Sequence, residues 1–307
     1  NFKTIYFKNT NLLENVRINV KKNQDLYSLF STRAIKSIDL ILRSISEMPK
    51  GDQEIAKFIL TSSVGQMSKM VFAIKRRNKN SKSKVKYEVG SWVIGLWKPD
   101  RSIETNAWRV FSGRSKRLIN ALKKIEEDPI NTTQTNNEIH LKDFREMLNN
   151  IKDNTIDNII TDPPHGDRVP YLELSEIWNA VIGEKPNYDN EMIVSNSPER
   201  NKNQTSYKND FSIFWDLCER KIKKGGRLIL MFNTKDMDFW NFLKDLSDQS
   251  ETLHYEGKFK ANYSAGSVVQ DNREGAMKYD WCVVFYKTQR PKKDISKIIG
   301  WETSWIT

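Results

Sequence analysis

The chain has 307 residues, with 50 Lys and Arg against 39 Asp and Glu, a formal charge of +11. That length is enough to bury the core of one large α/β domain or two smaller ones, and the charge favours a polyanionic partner, of which nucleic acid is the usual one. Two cysteines (Cys218, Cys282) and three scattered histidines (His140, His165, His254) exclude a zinc ribbon and give no metal-site spacing, and no stretch approaches the ~20 apolar residues of a membrane span.

The start, Asn1 to Tyr6, has neither the form of a signal peptide nor an initiator Met. The expectation is a cytoplasmic protein, free of membrane and metal, whose natural polypeptide begins further upstream or loses its first residues. From Ser31 the pattern turns helical, with Ile35, Ile38, Ile41, Leu42 and Ile45 at helical spacing and Ser31 or Thr32 as the cap. A break at Pro49-Lys50-Gly51 precedes a second predicted helix over 52–74, carrying Ile55, Phe58, Ile59, Val64, Met67 and Val71. The tract 75–86 is basic without an acidic residue and reads as a loop. Residues 87–97 are strand-like, and 106–125 predict a helix with Trp108, Phe111, Leu118 and Leu122 as core candidates. The polar stretch 131–137 reads as a linker and domain boundary.

Beyond it strands and helices alternate: strand 138–142, helix 144–151, strand 156–161, helix 171–182, a polar loop 183–208, helix 211–223, strand 226–232, helix 239–246, and strands 256–263 and 280–286. Such alternation predicts an α/β fold with a mostly parallel sheet covered on both faces and an antiparallel edge. The organisation expected is a mainly helical N-terminal region over 1–130, an α/β region over 131–290 and a basic tail over 291–307.

The most informative stretch is Ile159-Ile160-Thr161-Asp162-Pro163-Pro164-His165. An apolar strand delivers Asp162 to the carboxyl end of the sheet, where open α/β proteins bind ligands, and two prolines hold the following backbone extended. A carboxylate and a proline carbonyl there can accept the two N–H groups of an exocyclic base amine and leave its lone pair free. A flat side chain at 165 can stack on a base swung out of the duplex. This stretch resembles the Asp-Pro-Pro-Tyr motif of amino-methyltransferases acting on adenine N6 or cytosine N4. The resemblance implies a Rossmann-like methyltransferase sheet, S-adenosylmethionine as cofactor and DNA as substrate. It also implies that Asp162, Pro163, Pro164 and His165 are the catalytic stretch, with His165 standing where the family usually has Tyr, Phe or Trp. The acid of the motif tilts the expected target to adenine.

In that family the preceding strand ends in an acid that accepts from the cofactor's adenine amine. Asp143 holds this position, with Phe144 beside it to pack on the adenine ring; Asp162 would border the cofactor too. Asp143 also fits a plain helix cap. The Gly225-Gly226 turn resembles the one that follows the catalytic strand in many methyltransferases, residues 279–287 resemble the closing strand of the same fold, and the stretches 29–33, 106–111 and 167–179 resemble segments of long adenine-specific DNA methylases. A glycine-rich cofactor loop is not found: Gly65, Gly90, Gly95 and Gly113 lack its spacing or context. The expectation is a half-enzyme whose loop comes from a second subunit or an upstream segment. Lys75, Arg76, Arg77, Lys79, Arg168, Arg200 and Lys202 are the candidate nucleic-acid contacts. Rival readings are an RNA guanine-N2 methyltransferase, whose acidic Pro-Pro motif is similar, and a non-catalytic DNA-binding relative.

Overall fold

The computed structural model describes residues 3–75, 87–92, 94–127, 136–262, 279–288 and 298–306. In chain order its elements are α1 (Thr32–Ser46), α2 (Lys50–Val64), β1 (Ala73–Lys75), β2 (Tyr87–Val89), α3 (Ala107–Glu126), α4 (Phe144–Asn149), β3 (Ile156–Thr161), α5 (Tyr171–Ile182), α6 (Gln204–Lys221), β4 (Ile222–Phe232), α7 (Met237–Gln249), β5 (Leu253–Asn262) and β6 (Tyr279–Lys287). They form two compact units. The first comprises Asn1–Glu138, Pro170–Glu191 and Ser195–Asn201; the second comprises Ile139–Val169, Met192–Val194 and Lys202–Thr307. The α5 segment therefore joins the N-terminal unit, although its sequence lies inside the alternating region. Among the described residues no helix is long and apolar enough to cross a membrane.

The first unit is mainly helical. Ser31 caps α1 by accepting from the Ala34 N–H at 3.1 Å, and Ile38, Ile41, Leu42 and Ile45 are buried. Asp39, also buried, accepts from the backbone N–H groups of Ile5, Tyr6 and Phe7 at 3.0, 2.7 and 2.8 Å, which makes its burial tolerable and ties down the N-terminal segment. The helix expected over 52–74 ends at Val64. The Trp92 indole lies against Gly65, leaving no room for a side chain there, and the Ser68 hydroxyl donates to the Gly65 carbonyl at 2.7 Å to close a single 3-10 turn. Of the strand expected over 87–97 only β2 forms, paired antiparallel with β1. In α3 only Ala107 and Phe111 are buried, whereas Trp108 and Leu122 are exposed. The core role given to Trp108 and Leu122 is thus corrected.

The second unit is an α/β sheet in the order β3-β4-β6-β5. β3 and β4 run parallel; β4 with β6 and β6 with β5 run antiparallel. The expected α/β class and antiparallel edge are both present, but the parallel part is one pair among the described residues. The segment over 138–142 forms no strand, and its Ile139 and Leu141 are fully exposed. Leu228, Leu230 and Phe232 alternate along β4 and pack with Phe211, Trp215, Phe239, Leu243, Val283 and Phe285 in one aromatic-rich core. Burying each such side chain contributes about 1.5–3 kcal/mol. The other β4 face, Ile229 and Met231, is half-buried, and Ile160, in register with Ile229, is exposed.

Two features were misjudged from sequence because local hydrogen bonds override polarity. The stretch read as loop up to residue 208 starts α6 at Gln204, behind a capping box in which Asn203 and Ser206 satisfy each other's backbone N–H. β4 begins at Ile222, and its Gly225-Gly226 pair lies within the strand. Gly225 takes a φ of 78°, and a side chain on Gly226 would meet the Asp157 carbonyl at 2.4 Å, so glycine is what lets β4 close on β3.

At the turn from α7 to β5, Glu219 accepts from the Ser250 hydroxyl at 2.6 Å and from the Thr252 N–H and hydroxyl at 3.0 and 2.5 Å. Partial burial opposes its charge, but those hydrogen bonds and the Lys287 charge outweigh burial and hold the carboxyl below the usual glutamate value. Glu219→Ala should cost about 1–3 kcal/mol at pH 7 in urea unfolding. The wild-type advantage is fully present above the unfolded glutamate value of about 4.3 and fades as pH falls through the lower folded value. Equal stability at pH 7 would remove this role.

Candidate active site

The chain leaves β3 after Thr161 at the carboxyl end of the parallel pair. Pro163 is buried and Pro164 half-buried. Neither can donate a backbone hydrogen bond, so the exit is an extended turn rather than a longer ladder. The Pro164 carbonyl is held from α6 by the Tyr207 hydroxyl at 2.5 Å and from the turn by the Gly166 N–H at 3.0 Å. Among the described residues no hydrogen bond reaches the Pro163 carbonyl. One of the two proline carbonyls thus anchors the turn.

The Asp162 side chain is 61% exposed, so its carboxylate faces solvent rather than packed interior. One of its oxygens, Oδ1, lies 2.9 Å from His165 Nε2. His165 Nδ1 lies 3.3 Å from the Arg168 guanidinium, which can only donate. Nδ1 is therefore the acceptor of that contact, and Nε2 is the atom that donates a hydrogen bond to Asp162 Oδ1. The result is a chain from Arg168 through His165 that fixes Asp162 Oδ1, with no hydrogen bond to Oδ2 among the described residues. The His165 ring is 11% exposed and lies against Phe232 at the end of β4, with centroids 4.6 Å apart at 60°. With Phe232 packed against it, the ring has little free surface, and its Nε2 is directed at Asp162.

Beside this ring, a recess bounded by Tyr207, Phe232, Thr234 and Phe239 has about 40 Å³. Ligand sites for molecules of cofactor size are about 300–1,000 Å³. Asp143 caps α4 by accepting from the Arg145 N–H at 2.8 Å, and its other oxygen pairs with the Arg145 guanidinium at 3.1 Å. Arg145 also covers the Phe144 ring at 4.4 Å and reaches Asp210 at 2.5 Å. The capping reading of Asp143 is what the geometry displays. The described residues of this chain do not by themselves fit S-adenosylmethionine.

The candidate nucleic-acid contacts separate. Lys75 is exposed at the end of β1, while Arg76, Arg77 and Lys79 lie outside the described residues. Lys202 is mostly covered and pairs with Asp210 at 3.5 Å. Arg200 is corrected outright. Its side chain is 3% exposed in the first unit, pairing with Glu173 at 3.1 Å and Glu191 at 2.8 Å and donating to the Tyr188 carbonyl at 2.8 Å. Asn15 and Ser195 complete the shell of Glu173. Burial, followed by the Glu176 hydrogen bond, pushes the Tyr188 phenol far up. Within the loop over 183–208, Arg200 is folded inward among these charges, because a buried guanidinium is tolerable only when surrounded by acceptors, whereas Lys185, Asn190, Asn196 and Asn203 are exposed. Tyr207 and Phe232 are the site residues that sequence reasoning missed; both read as ordinary aromatic residues until the fold brings them to the Pro-Pro turn. Among the described residues no cluster of His, Cys, Asp and Glu is placed to hold a metal.

No protein-family model matches the chain, and no curated protein does. Among solved structures, a PvuII DNA methyltransferase (cytosine-N4-specific) aligns at a TM-score of 0.36 and 17% identity, over 54% of this chain and 55% of that one. The chain spans about half of that protein. At this level of similarity the activity must be argued from the site's own residues.

Two substitutions test the assignments. Arg200→Ala leaves Glu173 buried without its partner and should lower stability by about 3–5 kcal/mol, with the salt dependence of duplex binding unchanged; a shallower salt dependence at full stability would restore Arg200 to the interface. His165→Phe keeps a ring but loses the hydrogen bond to Asp162. In the activity assay described next it should lower the rate about tenfold or more, and a rate at or above wild type would favour stacking.

Proposed function

We propose that this chain is the target-base half of an S-adenosylmethionine-dependent DNA amino-methyltransferase, with adenine N6 as the methylated atom. The observation that carries the reading is the Asp162-Pro163 pair: an exposed carboxylate oriented by His165, next to a proline carbonyl that has no hydrogen-bond partner among the described residues, at the carboxyl end of a parallel strand pair. Asp162 Oδ2 accepts one N–H of the target amine and the Pro163 carbonyl accepts the other. The amine lone pair is thereby drawn out of conjugation with the base and held pointing away from both acceptors. The base reaches them only when swung out of its stack.

The methyl group comes from the sulfonium of the cofactor, and in this reading the cofactor is held by a second polypeptide or an upstream segment that carries the glycine-rich loop. The open side of β3 supports this. Parallel strands occur almost only in sheets covered on both faces and flanked by further strands, yet β3 has β4 as its one described neighbour and leaves Ile160 65% exposed. An unpaired, apolar strand edge is a template for pairing with another chain or segment. The engaged Asp143 and the small recess beside His165 agree with a cofactor site that is incomplete here.

The isolated chain should show no micromolar binding of S-adenosylmethionine by titration calorimetry; full-stoichiometry binding at that strength would overturn the half-site reading. With the partner half restored, transfer of tritiated methyl to duplex DNA should fall by at least about 10³-fold in Asp162→Ala. An unchanged rate would make the chain a scaffold, and transfer to structured RNA instead of duplex DNA would favour the guanine-N2 alternative.

A further inference from the structure

We infer that the groove between α3 and the β2 edge of the first unit binds the phosphodiester backbone of nucleic acid. The inference extends the proposed DNA substrate and rests on that reading for the choice of polyanion. The groove has a volume of about 650 Å³, and one wall carries Arg109, Arg114 and Arg117. Lys116, Lys123 and Lys124 continue the charge along the same helix, which holds a single acid, Glu126, at its end. None of the six cations makes an ion pair among the described residues. The acid on the groove wall, Glu104, is already neutralised by Arg33 at 3.1 Å.

A solvated charged face would not need this arrangement. Arg114 and Arg117 stand three residues apart on one face, where like charges destabilise a helix, and neither makes an ion pair among the described residues. Gly113 is the second observation. It lies inside a 20-residue helix, where glycine is disfavoured, and it lines the groove with nothing within 4 Å of the position a side chain would take. No internal packing calls for a glycine there; close approach of an external backbone does. From Arg109 to Lys124 the helix advances roughly 22 Å at 1.5 Å per residue. Duplex DNA offers about one charge per 1.7 Å over such a length, and guanidinium groups grip phosphate in a bidentate fork.

The test is fluorescence anisotropy of the full chain with a labelled duplex between 50 and 200 mM KCl. Replacing all three arginines, Arg109→Gln with Arg114→Gln and Arg117→Gln, should weaken binding at least about tenfold at the lowest salt. It should also make the slope of log K against log salt shallower by about 2–3, since each phosphate contact contributes about 0.9. The corresponding triple lysine variant should keep most of the slope. Gly113→Gln should raise the melting temperature and yet weaken duplex binding several-fold, a pair of effects that a purely structural glycine does not produce. If the triple glutamine variant matches wild type in affinity and slope, or if anionic phosphatidylserine vesicles compete for the arginines as well as duplex does, the inference fails. If the arginines matter for duplex binding but the reconstituted enzyme methylates no nucleic acid, the methyltransfer reading fails and this one stands.

Discussion

The candidate site depends on the parallel pairing of β3 with β4. It places the Asp162-Pro163-Pro164 exit beside Phe232 at the end of the neighbouring strand, and it is possible because Gly226 lets the two backbones approach within the space a side chain would fill. A one-residue slip in that register would turn Ile159 out of the core and carry Asp162 away from His165's support on Phe232. Position and chemistry are therefore coupled through backbone geometry rather than through a long list of side-chain contacts.

From that pair the site is built outward in two layers. Tyr207 fixes the Pro164 carbonyl and so the direction of the turn, while Arg168 and His165 fix one oxygen of Asp162. Holding the Pro164 carbonyl and one Asp162 oxygen in place preorganises this part of the turn, which reduces the reorganisation any ligand bound there would require. In the same unit β4 is the one strand paired with β3 among the described residues, and Ile160 is exposed on β3.

The first unit distributes its charges in opposite ways. Arg200 and Glu173 are drawn inside and neutralise each other through a dense shell of acceptors and donors. The arginines of α3 stay outside and make no ion pair among the described residues. Buried ions must find partners within the protein, whereas cations held in an open groove remain available to a polyanion. Identical residue types thus serve structure in one place and a surface in another.

The sequence by itself determined the α/β character, the helix starts at Ser31 and Asn106, and the Asp-Pro-Pro exit from an apolar strand. Those features are local: period, caps and proline geometry are written in neighbouring residues. It also determined that Asp143 suits a helix cap, which the fold then used. Tertiary structure decided what short-range pattern cannot carry. The pressure of Trp92 on Gly65 ended α2 at Val64. A capping box started α6 inside a stretch that looked like loop. Long-range acceptors took Arg200 from the surface, and packing on Phe232 turned His165 from a free ring into a support for Asp162. Each of these outcomes depends on atoms far apart in the chain, and no window of sequence contains both partners.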